Sequence, residues 1–112
     1  MSKRNIIQLS EFDITQKIIE SLSNVCTRSV LFSVKNESKD VTQISDELKI
    51  SLSTVYKTLS ILEDLALAEV DRYEISPEGK KIKLYRSRIG KVEITLDNLE
   101  PVLMLYPNDV EN

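Results

Sequence analysis

Ser51, Ser53, Thr54, Tyr56, Lys57 and Ser60 place five hydroxyls and one ammonium within ten residues. A hydroxyl becomes a useful nucleophile only beside a base, and the chain has no His. Its two glycines, Gly79 and Gly90, stand apart and build no phosphate loop. The nearby carboxylates, Asp46 and Glu47, fall on an exposed helix face with no pocket around them. One Cys and no His exclude an internal disulfide and a Cys/His metal site. No catalytic residue, metal ligand or cofactor site is therefore assigned. The remaining chemistry is recognition: short polar groups and a cation hydrogen-bond to base edges and phosphate oxygens.

Those groups need a frame, and TQISDELKISLSTVYKTLSILEDLAL, residues 42 to 67, supplies one. Ile44 and Leu48 are four apart and share a face of a first helix. Thr42 is taken as its cap, opening a partial capping box that reaches Ser45. Ile50 follows in the turn and can pack beneath both helices. Ser51 is a favoured N-cap for a second helix, with its oxygen accepting a backbone N–H one turn on. Val55, Leu59, Leu62 and Leu65 repeat at helical spacing as one buried stripe. Ser53, Thr54, Tyr56, Lys57 and Ser60 occupy the opposite face. A helix-turn-helix that enters a major groove needs this division.

ISLSTVYKTLSILEDLALAEV resembles the recognition helix and following strand of winged helix-turn-helix regulators. The ArsR and MarR groups share its Ser-x-x-x-x-x-Leu-x-x-Leu framework. The run SLSTVYKTLSILED is closest to the recognition helix of the Fur family. The resemblance covers roughly residues 25 to 89 and is sharpest from 42 to 68. It implies a DNA-binding transcriptional regulator. Two departures stand out. Ala66 occupies the place where such proteins usually end the helix with Gly. The lack of His also prevents the Fur metal chemistry from carrying over.

Net charge is −3, but it is unevenly distributed. From Lys80 to Lys91 there are six cations (Lys80, Lys81, Lys83, Arg86, Arg88 and Lys91) and no acid. From Ile94 onward there are four acids (Asp97, Glu100, Asp109 and Glu111) and no Lys or Arg. A local basic face can hold phosphates on an acidic protein. The basic run coincides with a hairpin pattern. Ala68 to Ile75 suits a strand through Val70, Tyr73 and Ile75. Ser76-Pro77-Glu78-Gly79 is a turn, with Pro supplying its fixed φ at the second position. Lys81 to Ile89 is the return strand, with Ile82 and Leu84 on one side and Lys83 and Tyr85 on the other. This hairpin is the wing. Lys80, Lys81 and Lys83 are its phosphate-contacting candidates, while Arg86 and Arg88 can turn toward another subunit.

Upstream, residues 1 to 9 read as a flexible lead. Ser10 caps a first helix, with Glu11 and Asp13 in its first turn. Phe12 or Ile14, then Ile18, Ile19 and Leu22, form its stripe, and it ends near Ser23-Asn24. A second helix spans Thr27 to Val34 and a little beyond, and Cys26 reads as a small buried thiol. Lys35 to Asp40 is a polar loop. Downstream, Val92, Ile94 and Leu96 alternate on one face, Asp97 to Pro101 is turn-like, and Val102 to Tyr106 is too apolar to leave in water. A second hairpin or a short helix starting at Pro101 accounts for this tail.

A chain of 112 residues holds one modest core. The fold class expected is α+β: a winged helix-turn-helix of three to four helices and a wing, plus a C-terminal hairpin. Residues 10–89 form the DNA-binding domain, and residues 90–112 form an extension for packing or dimerisation. No apolar run approaches the ~20 residues that span a bilayer, and a cytoplasmic location is expected. The expected partners are double-stranded DNA and a second copy of the chain, without metal or membrane. The alternative is a winged-helix protein-interaction module, for which the net acidity and acidic tail speak.

Overall fold

The computed structural model describes residues 14–108. The lead at 1–9, the Ser10 cap with Phe12, Glu11 and Asp13, and the acids Asp109 and Glu111 lie outside these residues. Helix α1 runs through 14–23. It is followed by α2 (Val25–Ser33), α3 (Val41–Leu48), α4 (Leu52–Asp64), β1 (Ala68–Ile75), β2 (Lys81–Ser87), β3 (Ile89–Thr95) and β4 (Val102–Pro107). The strands form two separate antiparallel pairs, β1 with β2 and β3 with β4. This is the α+β winged helix-turn-helix with an added C-terminal hairpin, so the short-helix alternative for 102–106 is not adopted.

The helix boundaries follow from local chemistry. Asn24 caps α2 by accepting from Thr27 N at 3.1 Å, so α2 starts two residues before Thr27, and it stops at Ser33. The last carbonyls of α1, on Leu22 and Ser23, accept from the Arg28 guanidinium at 2.9 and 3.1 Å. For α3 the cap is Asp40, not Thr42. Asp40 accepts from Gln43 N, and the Gln43 side chain accepts from Asp40 N, which closes a full capping box. Both residues are permitted caps. The reciprocal Gln three positions after Asp40 decides between them, and Thr42 has no such partner.

The core is aliphatic. Ile18 and Leu22 of α1 meet Val30, Leu31 and Val34 around α2, Ile44 of α3, and Val55, Leu59 and Leu62 of α4. Leu48, Ile50 and Leu65 pack against this cluster from its edge. Ile14 stays half-exposed, and Cys26 is partly open rather than buried. It lines a small apolar pocket with Val25, Ser29, Leu48 and Ile50.

The wing begins at the end of α4, where two bonds form a Schellman turn. Leu67 N donates to Leu62 O at 2.8 Å, and Ala66 N donates to Glu63 O at 2.9 Å. Ala66 takes the left-handed conformation, φ 59°, that this turn requires. The return strand is shorter than its sequence pattern. It ends at Ser87, whose buried hydroxyl bonds both N–H and C=O of Ile89 and turns the chain into β3. Leu84 and Tyr85 are both buried, against the expected alternation. Tyr85 exchanges two backbone bonds with Lys39, so the inner half of β2 lies between β1 and the α2–α3 loop.

In the second hairpin Val92 pairs with Leu105 and Ile94 with Leu103, so these four side chains share one face. Val92 and Leu103 pack on the core. The Asn108 amide fastens the end of the hairpin to the body, donating to Lys35 O at 2.8 Å and Ser87 O at 2.9 Å. The expectation that 102–106 would be withdrawn from water fails for this single chain. Val102, Met104, Leu105 and Tyr106 remain 38–50% exposed.

Candidate nucleic-acid interface

Helix α4 presents its polar face as its spacing requires. Val55, Thr58, Leu59 and Leu62 are buried, whereas Ser53, Tyr56, Lys57 and Ser60 face solvent. At its start the hydroxyls bond one another. Ser51 Oγ accepts from Thr54 N at 3.2 Å, donates to Thr54 Oγ1 at 2.8 Å, and lies 3.2 Å from Ser53 Oγ. Ser51 is therefore committed to capping, and Thr54, partly buried, lends its oxygen to that cap.

A groove of about 560 Å³ opens beside this helix. Asp40, Val41 and Thr42 at the start of α3 line one side, Tyr56 another, and Lys80, Lys81, Ile82 and Lys83 of the wing the third, with Tyr85 also contributing. The fold thus brings Tyr56 together with Lys80, Lys81 and Lys83, residues well separated in sequence. Lys57 and Ser60 are exposed on α4 outside this groove. The Lys81 ammonium stands 4.3 Å from the ring centroid of Tyr73, the residue opposite Lys83 on β1. Burial, with Glu63 contributing less, pushes the Tyr85 phenol above its ordinary range, so Tyr85 stays neutral.

The hairpin divides the basic run in two. Strand β1 carries Glu69, Asp71 and Glu74, and its register sets Glu69 opposite Arg86. Arg88 Nε lies 4.0 Å from Glu69, and Lys91 lies 3.8 Å from Glu93. The far half of the run is therefore partly compensated, by Glu69 of β1 and by Glu93 of β3. Among the described residues Lys80, Lys81 and Lys83 form no ion pair, and the uncompensated charge is concentrated at the wing tip beside Tyr56.

Residues 28–70, from α2 to the start of β1, match the model of the bacterial regulatory protein, arsR family. The segment is thus similar to the helix-turn-helix of that family. The match supports a DNA-binding transcription regulator, a class distinct from enzymes. It falls on the ArsR side of the resemblance drawn from the sequence. A search of the curated proteins finds no match. Among the described residues, no group of three or more His, Cys, Asp or Glu could hold a metal ion, and no helix is long and apolar enough to cross a membrane.

Two features of this region escaped sequence reasoning. Leu52, the first residue of α4, is 46% exposed, although it falls three and seven residues before Val55 and Leu59, at the stripe's own spacing, which by itself predicts burial. Ser38 donates to Asp71 Oδ2 at 2.6 Å and ties the α2–α3 loop to the wing. That bond is the main reason the Asp71 carboxyl is held below its ordinary range. Burial opposes the shift, while Arg72 and Arg86 add to it. No local pattern announces a contact between residues so far apart.

Proposed function

We propose that the chain is a cytoplasmic, sequence-specific regulator that binds double-stranded DNA as a homodimer. The groove shared by Tyr56, Lys80, Lys81 and Lys83 carries this reading. It joins the exposed face of the recognition helix to an uncompensated basic wing tip. In this arrangement Ser53, Thr54, Tyr56, Lys57 and Ser60 face base edges, Ser51 sets the helix start beside a phosphate, and the three wing lysines hold the backbone. Residues 10–89 do the binding, and residues 90–112 pair the subunits. The exposed apolar side chains of β3 and β4 support the pairing, because burial between copies would remove them from water. A two-fold pair then meets successive major grooves about 34 Å apart on a near-palindromic site.

Selection from random duplex DNA tests the reading. An enriched near-palindrome, bound by the wild type and about 1–3 kcal/mol more weakly by Tyr56→Ala or Lys57→Ala, is the expected result. Failure to enrich any duplex at low salt, or equal binding by the Tyr56/Lys57 double variant, overturns it in favour of a protein-interaction module.

A further inference from the structure

The recognition helix lacks the usual tools for reading purines. Residues 52–64, LSTVYKTLSILED, contain no Arg, Asn or Gln. Arg is the side chain that most often grips guanine through two hydrogen bonds, and Asn or Gln grips adenine in the same way. Lys57 is the single cation of the helix. The acids that could accept from cytosine, Glu63 and Asp64, sit in the last turn, away from the end that enters a groove. The Ser51 hydroxyl, at the entering end, is occupied by the cap.

Beside the exposed Ser53, that end presents apolar surface to solvent. Leu52 is 46% and Tyr56 57% exposed. One turn apart, they lie on the same side of α4. Leu52 has no place in the core cluster or among the partly buried residues packed against it. Alone among DNA bases, thymine offers an apolar group in the major groove, its C5 methyl.

We infer that Leu52, with the ring of Tyr56 beside it, reads thymine methyl groups, and that the recognised half-site is defined by thymines more than by purine hydrogen bonds. This rests on the DNA-binding reading above. Leu52 and Tyr56 set specificity by contact, and Lys57 supplies at most one guanine contact per half-site.

The test replaces each thymine of the enriched duplex, one at a time, by deoxyuridine. This deletes a methyl and preserves base pairing. Binding is measured with the full unmodified chain and with Leu52→Ala. One methyl buried against Leu52 predicts a loss of about three- to fivefold at one or more thymines of each half-site. Leu52→Ala should bind the all-thymine duplex more weakly and lose its response at that position, while keeping its responses elsewhere. An enriched duplex insensitive to deoxyuridine at every position overturns the inference and leaves the regulator reading standing. A Leu52→Ala chain that keeps the full response at every thymine overturns it in the same way. Failure to enrich any duplex removes both. The series on the unmodified chain requires no variant to fold.

Discussion

Replacing Ala66 with Gly should stabilise the protein, and the size of the gain follows from one turn of backbone. Ala66 sits at φ 59°, the position after the cap of α4, where the Schellman bonds to Leu62 and Glu63 require a left-handed residue. That conformation costs a residue bearing Cβ about 1–2 kcal/mol. Glycine removes the clash but has more freedom to lose on folding, which returns roughly 0.5–1 kcal/mol. The net expectation is a gain of about 0.5–1 kcal/mol. In a domain of this size such a gain raises the melting temperature by about 2–6 °C. Thermal unfolding followed by circular dichroism gives the shift. Urea unfolding should show a higher midpoint at unchanged slope. Ala66 is exposed and its role is in the backbone, so affinity for an enriched duplex should not change. Lys49, at φ 61° after α3, is an internal replicate, and Lys49→Gly should move stability in the same direction. A stability equal to or below the parent's for Ala66→Gly would refute the reasoning.

Lys80→Ala, Lys81→Ala and Lys83→Ala should each weaken binding to all duplexes alike and reduce the steepness of the salt dependence by about one counterion, read from affinities across a salt series. Arg88→Ala, whose cation is near Glu69, should change that slope less. Ser38→Ala should destabilise the protein by about 1–2 kcal/mol at neutral pH by removing a hydrogen bond to a carboxylate. The depressed Asp71 pKa adds a pH signature. Its contribution is present above the unfolded value near 3.8 and is lost as pH falls through the lower folded value. Stability of Ser38→Ala should therefore fall less steeply below about pH 4, as measured by urea unfolding across pH. On the hairpin, Leu105→Glu tests the proposed homodimer: it should shift the chain toward monomer in sedimentation and lower its affinity for a two-half-site duplex.

The helix-turn-helix was legible because its core depends on spacing alone. Ile44, Val55, Leu59 and Leu62 are fixed by the helical period, and all four are buried. The Ser51 cap was legible for the same local reason. What could not be read depended on partners distant along the chain. Tyr85 lies in the core cluster with its backbone bridged to Lys39, whereas the sequence pattern of β2 by itself predicts simple alternation. The run from Lys80 to Lys91 is acid-free in one dimension, but the hairpin register brings Glu69 opposite Arg86. Among the site residues, Tyr56 and Lys57 could be chosen from the helix face. Leu52 could not be chosen that way, because its spacing to Val55 and Leu59 is that of a core residue and only its place in the first turn leaves it exposed.

The Asn108 side chain has a consequence for how the molecule comes apart and together. Its bond to Lys35 joins residues 73 positions apart, and its second bond reaches the end of β2. The helices have mainly local contacts and can form early. The closure at Asn108 must wait until the helical body, the wing strand and the final hairpin have all found their places. Opening the hairpin leaves the Lys35 and Ser87 carbonyls without this donor, so disturbance at one end of the chain reaches the end of α2. The α2–α3 loop, the end of the wing and the last hairpin are thereby tied at one point, so that loosening the C-terminal strands releases a tie on the other two.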